Sequence, residues 1–328
     1  MAEVAQRRNE LTGENVKILL PDTIALDPDL PPGWEGAVVD AHAEIPPEHH
    51  DADVLVVWAP SREHLASAAR VLTQVQLVQS LSAGMDKIVV AGFAPSVRLA
   101  SGSGLHDRTV CEHTLTLVLS LLRRIPEALA AQGEHRWSRE LGGPQELHPA
   151  DRVTTLIGAR VLIWGFGGIA QTMAPLLRAL GAEVTGVARS AGTRADTPVH
   201  ATEELPELLP HTDVLISTLP ATEATAGVVD QRVFALLPES SCFVNVGRGT
   251  VVDQAALVDA LQQGAIRGAA VDVTDPEPLP ADSDLWSAPN LLITPHAAGG
   301  RPIGAEERIA HNVRALQDGR PLAHEVRR

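Results

Sequence analysis

One turn constrains this chain more than any other feature. The apolar run 159–164 passes directly into Gly165, Phe166, Gly167, Gly168, Ile169 and Ala170, and the helix-patterned stretch 170–180 follows. A GxGxxA pattern set between a strand and a helix is suited to receive a dinucleotide. Gly165 permits the tight turn, Gly167 lets the backbone approach a pyrophosphate, and Ala170 is small enough for close helix–strand packing. Gly168 and Ile169 open the helix, whose N-terminus offers free N–H groups and a positive dipole end to phosphates. Such a turn belongs in a doubly wound parallel sheet with helices on both faces.

The remaining sequence fits that architecture. Short apolar runs stand at 16–20, 53–58, 76–80 and 97–100, and again at 184–188, 213–218, 242–246, 268–272 and 291–294. Unbroken runs of this length suit strands covered on both faces, as in a parallel sheet. Leu115, Val118, Leu119 and Leu122 recur at helical spacing, which predicts one long helix over 110–131. Further helices are expected at 253–263 and 306–317. A length of 328 residues predicts two domains at about 150 residues each. Boundaries near 105 and 298 give an α/β domain over 1–105, completed by 299–328, and a second doubly wound domain over 106–298.

Charge narrows the function. Lys and Arg number 26 and Asp and Glu 41, a net charge of −15, which repels phosphate backbones and anionic lipid. Neither a nucleic-acid nor a membrane partner is expected. The best apolar candidate, 115–122, falls short of the roughly 18 residues of a membrane span. The first segment, 1–15, is polar and has no secretory h-region. Cys111 and Cys242 are too few for a disulfide framework or a zinc site. Two buried, reduced thiols in a cytoplasmic protein without a metal are expected.

The strand after the glycine turn ends at Arg189 and Ser190, with Arg194 close behind. An NAD site usually places Asp or Glu here to hold the ribose 2′-OH. A guanidinium instead pairs with a 2′-phosphate. NADP is therefore favoured over NAD, the alternative being a solvated surface arginine with NAD tolerated. Three more segments fall at the ends of predicted strands, where doubly wound folds bind ligands. They carry Val246, Gly247 and Arg248; then Asp272 and Glu277; then His296. Arg248 can clamp a carboxylate through two parallel hydrogen bonds. His296 can supply a proton near neutral pH, and a carboxylate such as Glu277 on its other ring nitrogen would orient it. Singly these are a surface ion pair, a loop acid and a capping histidine; jointly they read as catalytic.

These segments resemble the D-isomer-specific 2-hydroxyacid dehydrogenases. The resemblance covers about 75–319 and rests on 79–86 (QSLSAGMD), 110–113 (VCEH), the glycine turn, 219–225 (LPATEAT), 244–249 (VNVGRG), 271–280 (VDVTDPEPLP) and 289–296 (PNLLITPH), in the family's order. It implies a Rossmann cofactor domain inserted into a flavodoxin-like substrate domain. His296 would be the proton donor or acceptor, Glu277 its carboxylate partner, and Arg248 the residue that holds the substrate's carboxylate and carbonyl. Backbone N–H groups of Ala83 and Gly84, in a loop with Ser82, would bind the other end of that carboxylate. Asp272 would meet the nicotinamide carboxamide, while Leu219, Pro220, Thr225, Val246 and Gly247 would line the cofactor cleft. The 110–131 helix would be the homodimer element.

Arg189 departs from NAD-type members, as in NADP-using glyoxylate and hydroxypyruvate reductases. Where phosphoglycerate-type members carry an additional basic residue after the strand 53–58, only Arg62 stands. The expected member lacks a serine-sensing regulatory domain. The function expected is an NAD(P)-dependent oxidoreductase that moves a hydride between nicotinamide and a small 2-oxo or D-2-hydroxy acid. The alternative is a non-catalytic NAD(P)H-sensing scaffold of the same fold, marked by tight cofactor binding without turnover; a formate-type hydride donor is a third reading.

Overall fold

Parallel pairing dominates both sheets, as the unbroken apolar runs require. The computed structural model describes residues 16–327; the polar segment 1–15 lies outside the described residues. The strands are β1 (Val16–Pro21), β2 (Trp34–Val39), β3 (Val54–Val57), β4 (Leu77–Ser80), β5 (Arg98–Ala100), β6 (Arg160–Trp164), β7 (Glu183–Ala188), β8 (Gly192–Arg194), β9 (Thr197–Ala201), β10 (Val214–Ser217), β11 (Cys242–Asn245), β12 (Gly268–Val271), β13 (Leu291–Ile293) and β14 (Glu325–Val326). They fall into two units, one holding the described residues to His106 and those from Arg301 onward, the other Asp107–Gly300.

In the first unit the strand order is β2-β1-β3-β4-β5-β14. The first five run parallel and β14 is antiparallel to β5. The order 2-1-3-4-5 is the flavodoxin-like one. Ile18, Leu55, Leu77 and Leu99 are fully buried, each contributing about 1.5–3 kcal/mol of hydrophobic stabilisation. The returning helix Ala305–Gln317 seats Ile309, Val313 and Leu316 in this core. Its Asn312 Nδ2 donates to Gln79 Oε1 at 2.6 Å, which ties the tail to β4.

The loop after β4 holds Ser82, Ala83 and Gly84. A Cβ on Gly102 would come within 2.1 Å of Leu81 O, so only glycine lets the two backbones meet there. Gly102 N donates to Ser82 O at 2.8 Å, and Ser82 N donates to Ser80 Oγ at 3.0 Å. Ala83 is exposed and Gly84 half-buried.

The second unit has the order β13-β12-β11-β10-β6-β7-β9-β8. All neighbours are parallel except the β8–β9 edge pair. Counted from β6, this is the Rossmann order 3-2-1-4-5-6 (β9-β7-β6-β10-β11-β12), with β13 added at one edge and β8 at the other. The order reverses between β6 and β10, whose last residues, Trp164 and Ser217, are paired. Ligands bind outside the carboxyl ends of strands at such a switch point. The α/β class and the parallel-dominated sheets follow the expectation; the antiparallel edges do not.

The single helix expected over 110–131 is two, Asp107–Leu122 and Ile125–Gly133. Arg124 breaks it with a left-handed φ of +55°. Pro126 is the cause at the sequence level, because it lacks an N–H and its ring excludes the carbonyl four residues back, that of Leu122. Arg124 Nε instead pairs with Glu127 Oε1 at 3.0 Å. No helix among the described residues is long and apolar enough to cross a membrane.

Candidate active site

Three neighbouring strand ends deliver the catalytic candidates. Asn245, Val271 and Ile293 are in register across β11, β12 and β13, so the segments leaving these strands start side by side. Arg248 follows the first, Glu277 the second and His296 the third.

The Arg248 turn is held from inside. The buried Asn245 side chain accepts from Gly247 N at 3.1 Å and donates to Arg248 O at 3.0 Å. A Cβ on Gly247 would lie 2.5 Å from Leu219 O, and one on Gly249 would lie 2.0 Å from the Thr274 carbonyl. The turn is thus wedged between two backbones that only glycine admits. Arg248 is half-buried, and its Nη1 donates to Gly247 O at 2.7 Å.

Glu277 and His296 meet directly. His296 Nδ1 is 2.8 Å from Glu277 Oε2, and Glu277 Oε1 accepts from Thr274 N at 3.2 Å. An ionised carboxylate only accepts, so Nδ1 carries the proton in that bond and Nε2 is the ring atom left for proton exchange. The two side chains are 50% and 39% exposed, open enough to reach a substrate.

His296 has a φ of +52°, a left-handed backbone that costs a non-glycine residue on the order of 1–3 kcal/mol. Asp272 holds it there. Its carboxylate, 1% exposed, accepts from Thr294 Oγ1 at 2.6 Å, Ala297 N at 2.8 Å and Ala298 N at 3.0 Å. His296 N donates to the Asp272 main-chain oxygen at 2.7 Å. His113 Nε2, from the helix Asp107–Leu122, lies 3.0 Å from Thr294 Oγ1 and 3.2 Å from Asp272 Oδ1. The carboxylate expected to face a carboxamide is therefore engaged in anchoring the 294–298 turn.

At the switch point Gly165 has a φ of +98°, and a Cβ there would meet Thr218 Oγ1 at 2.9 Å. Gly167 caps the helix Gly168–Ala179, and a Cβ on it would meet nothing within 4 Å. Gly167 and Gly168 are exposed, Ile169 half-buried and Ala170 buried. Leu219 is buried and Pro220 exposed, and Thr225 Oγ1 donates to Pro220 O at 2.6 Å, closing the 220–225 turn. Val246 and Gly247 are buried at the end of β11.

At the end of β7 Arg189 and Ser190 are exposed. Arg194 Nη2 donates to Ser190 O at 2.9 Å and to Ser190 Oγ at 2.8 Å, while Nη1 reaches Phe166 O in the glycine turn at 3.5 Å. Sequence reasoning passed over four contributors: Asn245, Thr294, the contacts of His113 Nε2 with Thr294 and Asp272, and the span of Arg194 to the glycine turn. Only Asn245 left a local signal, an amide placed two residues before a glycine turn, as in side-chain-mimicked turns. No grouping of three or more His, Cys, Asp or Glu among the described residues could hold a metal.

The family model "D-isomer specific 2-hydroxyacid dehydrogenase, NAD binding domain" matches residues 115–298. The chain belongs to this family. As a D-isomer-specific 2-hydroxyacid dehydrogenase it is an NAD(P)-dependent enzyme, and the non-catalytic scaffold is set aside. It is 33% identical over 293 residues to a glyoxylate/hydroxypyruvate reductase A of Klebsiella pneumoniae (strain 342), covering 86% of this chain and 88% of that one. A solved family structure from Aeromonas salmonicida subsp. salmonicida A449 shares 26% identity with a TM-score of 0.81, covering 96% and 99% of the two chains. An NADPH-dependent glyoxylate/hydroxypyruvate reductase from Sinorhizobium meliloti, solved with NADP and sulfate, shares 27% identity with a TM-score of 0.76, covering 96% and 98%.

The family's nicotinamide dinucleotide fits the residues present. The surface above Gly167 is bare where a Cβ would stand, and the helix behind it presents its N-terminal N–H groups.

Proposed function

We propose that this dehydrogenase is an NADPH-preferring reductase of a small 2-oxo acid of the glyoxylate or hydroxypyruvate kind. The observation that carries the reading is the 2.8 Å contact of His296 with Glu277 on the strand end beside Arg248. The Klebsiella and Sinorhizobium relatives, both glyoxylate/hydroxypyruvate reductases, support the substrate class.

A nicotinamide held at this site would supply the hydride for reduction, or take it up in oxidation. His296 Nε2 gives the carbonyl oxygen its proton during reduction and takes it back during oxidation. Glu277 fixes the ring by accepting from Nδ1, so that Nε2 faces the reacting oxygen. Arg248 grips the substrate's carboxylate with a charge-assisted pair of hydrogen bonds. The backbone N–H groups of Ala83 and Gly84, next to Ser82, are the first unit's substrate-binding contribution. Gly165, Gly167, Gly168 and Ile169 receive the pyrophosphate, and Leu219, Pro220, Thr225, Val246 and Gly247 line the cofactor's place. Arg189, Ser190 and Arg194 hold the 2′-phosphate, which is why NADP is preferred; the tethering of Arg194 to Ser190 supports this. Asp272 acts from below, through the 294–298 turn.

The protein works in the cytoplasm as a homodimer through the 110–131 region. Leu119, Ile125 and Leu129, exposed on that helix pair, support the dimer. The reading is tested by the nicotinamide absorbance of purified protein offered glyoxylate, hydroxypyruvate, pyruvate and a bulky 2-oxo acid, each with NADPH and NADH. Fastest turnover of glyoxylate or hydroxypyruvate with NADPH is expected. Turnover with NADH alone would remove the cofactor preference. Cofactor binding without any turnover would overturn the reading.

A further inference from the structure

We infer that His113 is a positioning residue for the reaction, acting through Thr294 and the buried Asp272 to hold the turn that carries His296. The inference rests on the proposed role of His296 as proton donor.

The hydrogen-bond chain has one direction. Thr294 Oγ1 is 2.6 Å from Asp272 Oδ1, and an ionised carboxylate only accepts, so the hydroxyl proton is spent there. The lone pairs of Oγ1 then face His113 Nε2 at 3.0 Å, and that nitrogen must donate. Its donation is shared with Asp272 Oδ1 at 3.2 Å. His113 therefore carries a proton on Nε2 in either charge state. Among the described residues it is also the one basic side chain within ion-pair distance of Asp272.

Asp272 in turn holds the chain on both sides of His296. It accepts from Thr294 on one side and from Ala297 N and Ala298 N on the other. The left-handed backbone of His296 is unfavourable for a side-chain-bearing residue and persists only where its surroundings over-determine it. His113 completes that constraint from the helix Asp107–Leu122, an element remote in sequence from the turn. Removing its donor leaves Thr294 and a buried carboxylate one partner short, and the turn gains freedom. A displaced acid costs rate rather than ground-state affinity.

The test compares His113→Leu, which removes the donor, with His113→Gln, whose amide restores one, and with Thr294→Val, which cuts the chain at its middle. Hydrogen exchange of the Ala297 and Ala298 amides is read in the cofactor-free protein, alongside kcat, KM and cofactor affinity. Expected for His113→Leu are amide exchange faster by about tenfold and a kcat lower by about tenfold or more, with KM and cofactor affinity nearly unchanged. His113→Gln should recover most of both. The double variant with Thr294→Val should lose no more than the worse single one, because the two residues act in one chain. Unchanged exchange and kcat in His113→Leu, or additive losses in the double variant, would overturn the inference. Wild-type protein inactive on every 2-oxo acid would overturn the underlying reading instead, and the amide exchange would still report on the turn.

Discussion

His296 Nδ1 lies 2.8 Å from Glu277 Oε2, although nineteen residues and two different strand ends separate them. Their meeting depends on β12 and β13 lying side by side in register. Glu277 also accepts from Thr274 N, so both carboxylate oxygens are committed. Glu277→Gln keeps the size but replaces the carboxylate that accepts from His296 Nδ1 with a neutral amide, which orients the ring less firmly. A kcat lower by about tenfold or more is expected, with cofactor affinity retained, as steady-state rates and fluorescence titration would show.

Arg189 and Arg194 are proposed to set the cofactor choice. Reversing the charge at Arg189 with Arg189→Glu removes one partner of the 2′-phosphate and offers an acceptor to a ribose 2′-OH. The ratio of kcat/KM for NADPH over NADH should fall by about tenfold or more, the worth of one charge-assisted hydrogen bond. An unchanged ratio would contradict the assignment of this strand end.

Gly249 is a site of pure space. A Cβ would lie 2.0 Å from the backbone of Thr274, and backbone cannot swing aside as a flexible side chain can. Gly249→Ala should destabilise the protein by about 1–3 kcal/mol, as overpacking does, and lower activity through the displaced Arg248. Thermal unfolding and kcat measured together would check this.

The strand ends were legible in the sequence because their cause is local. A glycine turn after an apolar run, and Arg, Glu and His after three later runs, can be read without coordinates. The break at Arg124 was equally local, with Pro126 as its signal, but the apolar spacing of Leu115, Val118, Leu119 and Leu122 stops before it and carries no information on where the helix ends. The edge strands β2, β8 and β14, and β9 beside β8, were invisible: β8 and β14 are short, β9 carries Pro198 and His200, and β2, interrupted by Glu35 and Gly36, is exposed or half-buried over most of its length. Asp272 was legible as a strand-end acid, but the groups its carboxylate anchors were not. Its partners Thr294, Ala297, Ala298 and His113 come from a turn and a helix far along the chain, and no spacing rule brings them together.

The pH dependence of stability should carry the signature of Asp213. Burial pushes its carboxyl up, but hydrogen bonds from the Arg160 guanidinium and backbone outweigh it and leave it below the ordinary value of 3.8. A carboxyl depressed in the folded state stabilises the protein above its unfolded value, and the contribution fades as pH falls through the folded value. Asp213→Asn should therefore cost about 1–2 kcal/mol near neutral pH, with the difference shrinking below pH of about 4. Denaturant unfolding at both pH values measures it.

Burial pushes both cysteine thiols up to about 12. Thiolate is the reactive form, so native protein should resist a disulfide reagent at mildly alkaline pH. Both thiols should react once the protein is unfolded. Rapid labelling of either cysteine in native protein would contradict the burial of Cys111 and Cys242.

The central claim is that His296 is the proton donor, and His296→Gln tests it most directly. Wild type and variant are compared for NADPH oxidation with glyoxylate and hydroxypyruvate, with cofactor affinity measured in parallel. A fall in kcat of about 10²–10⁴-fold with unchanged cofactor affinity is the predicted result. A variant with near-normal kcat would contradict it, and the proton would then have to come from elsewhere.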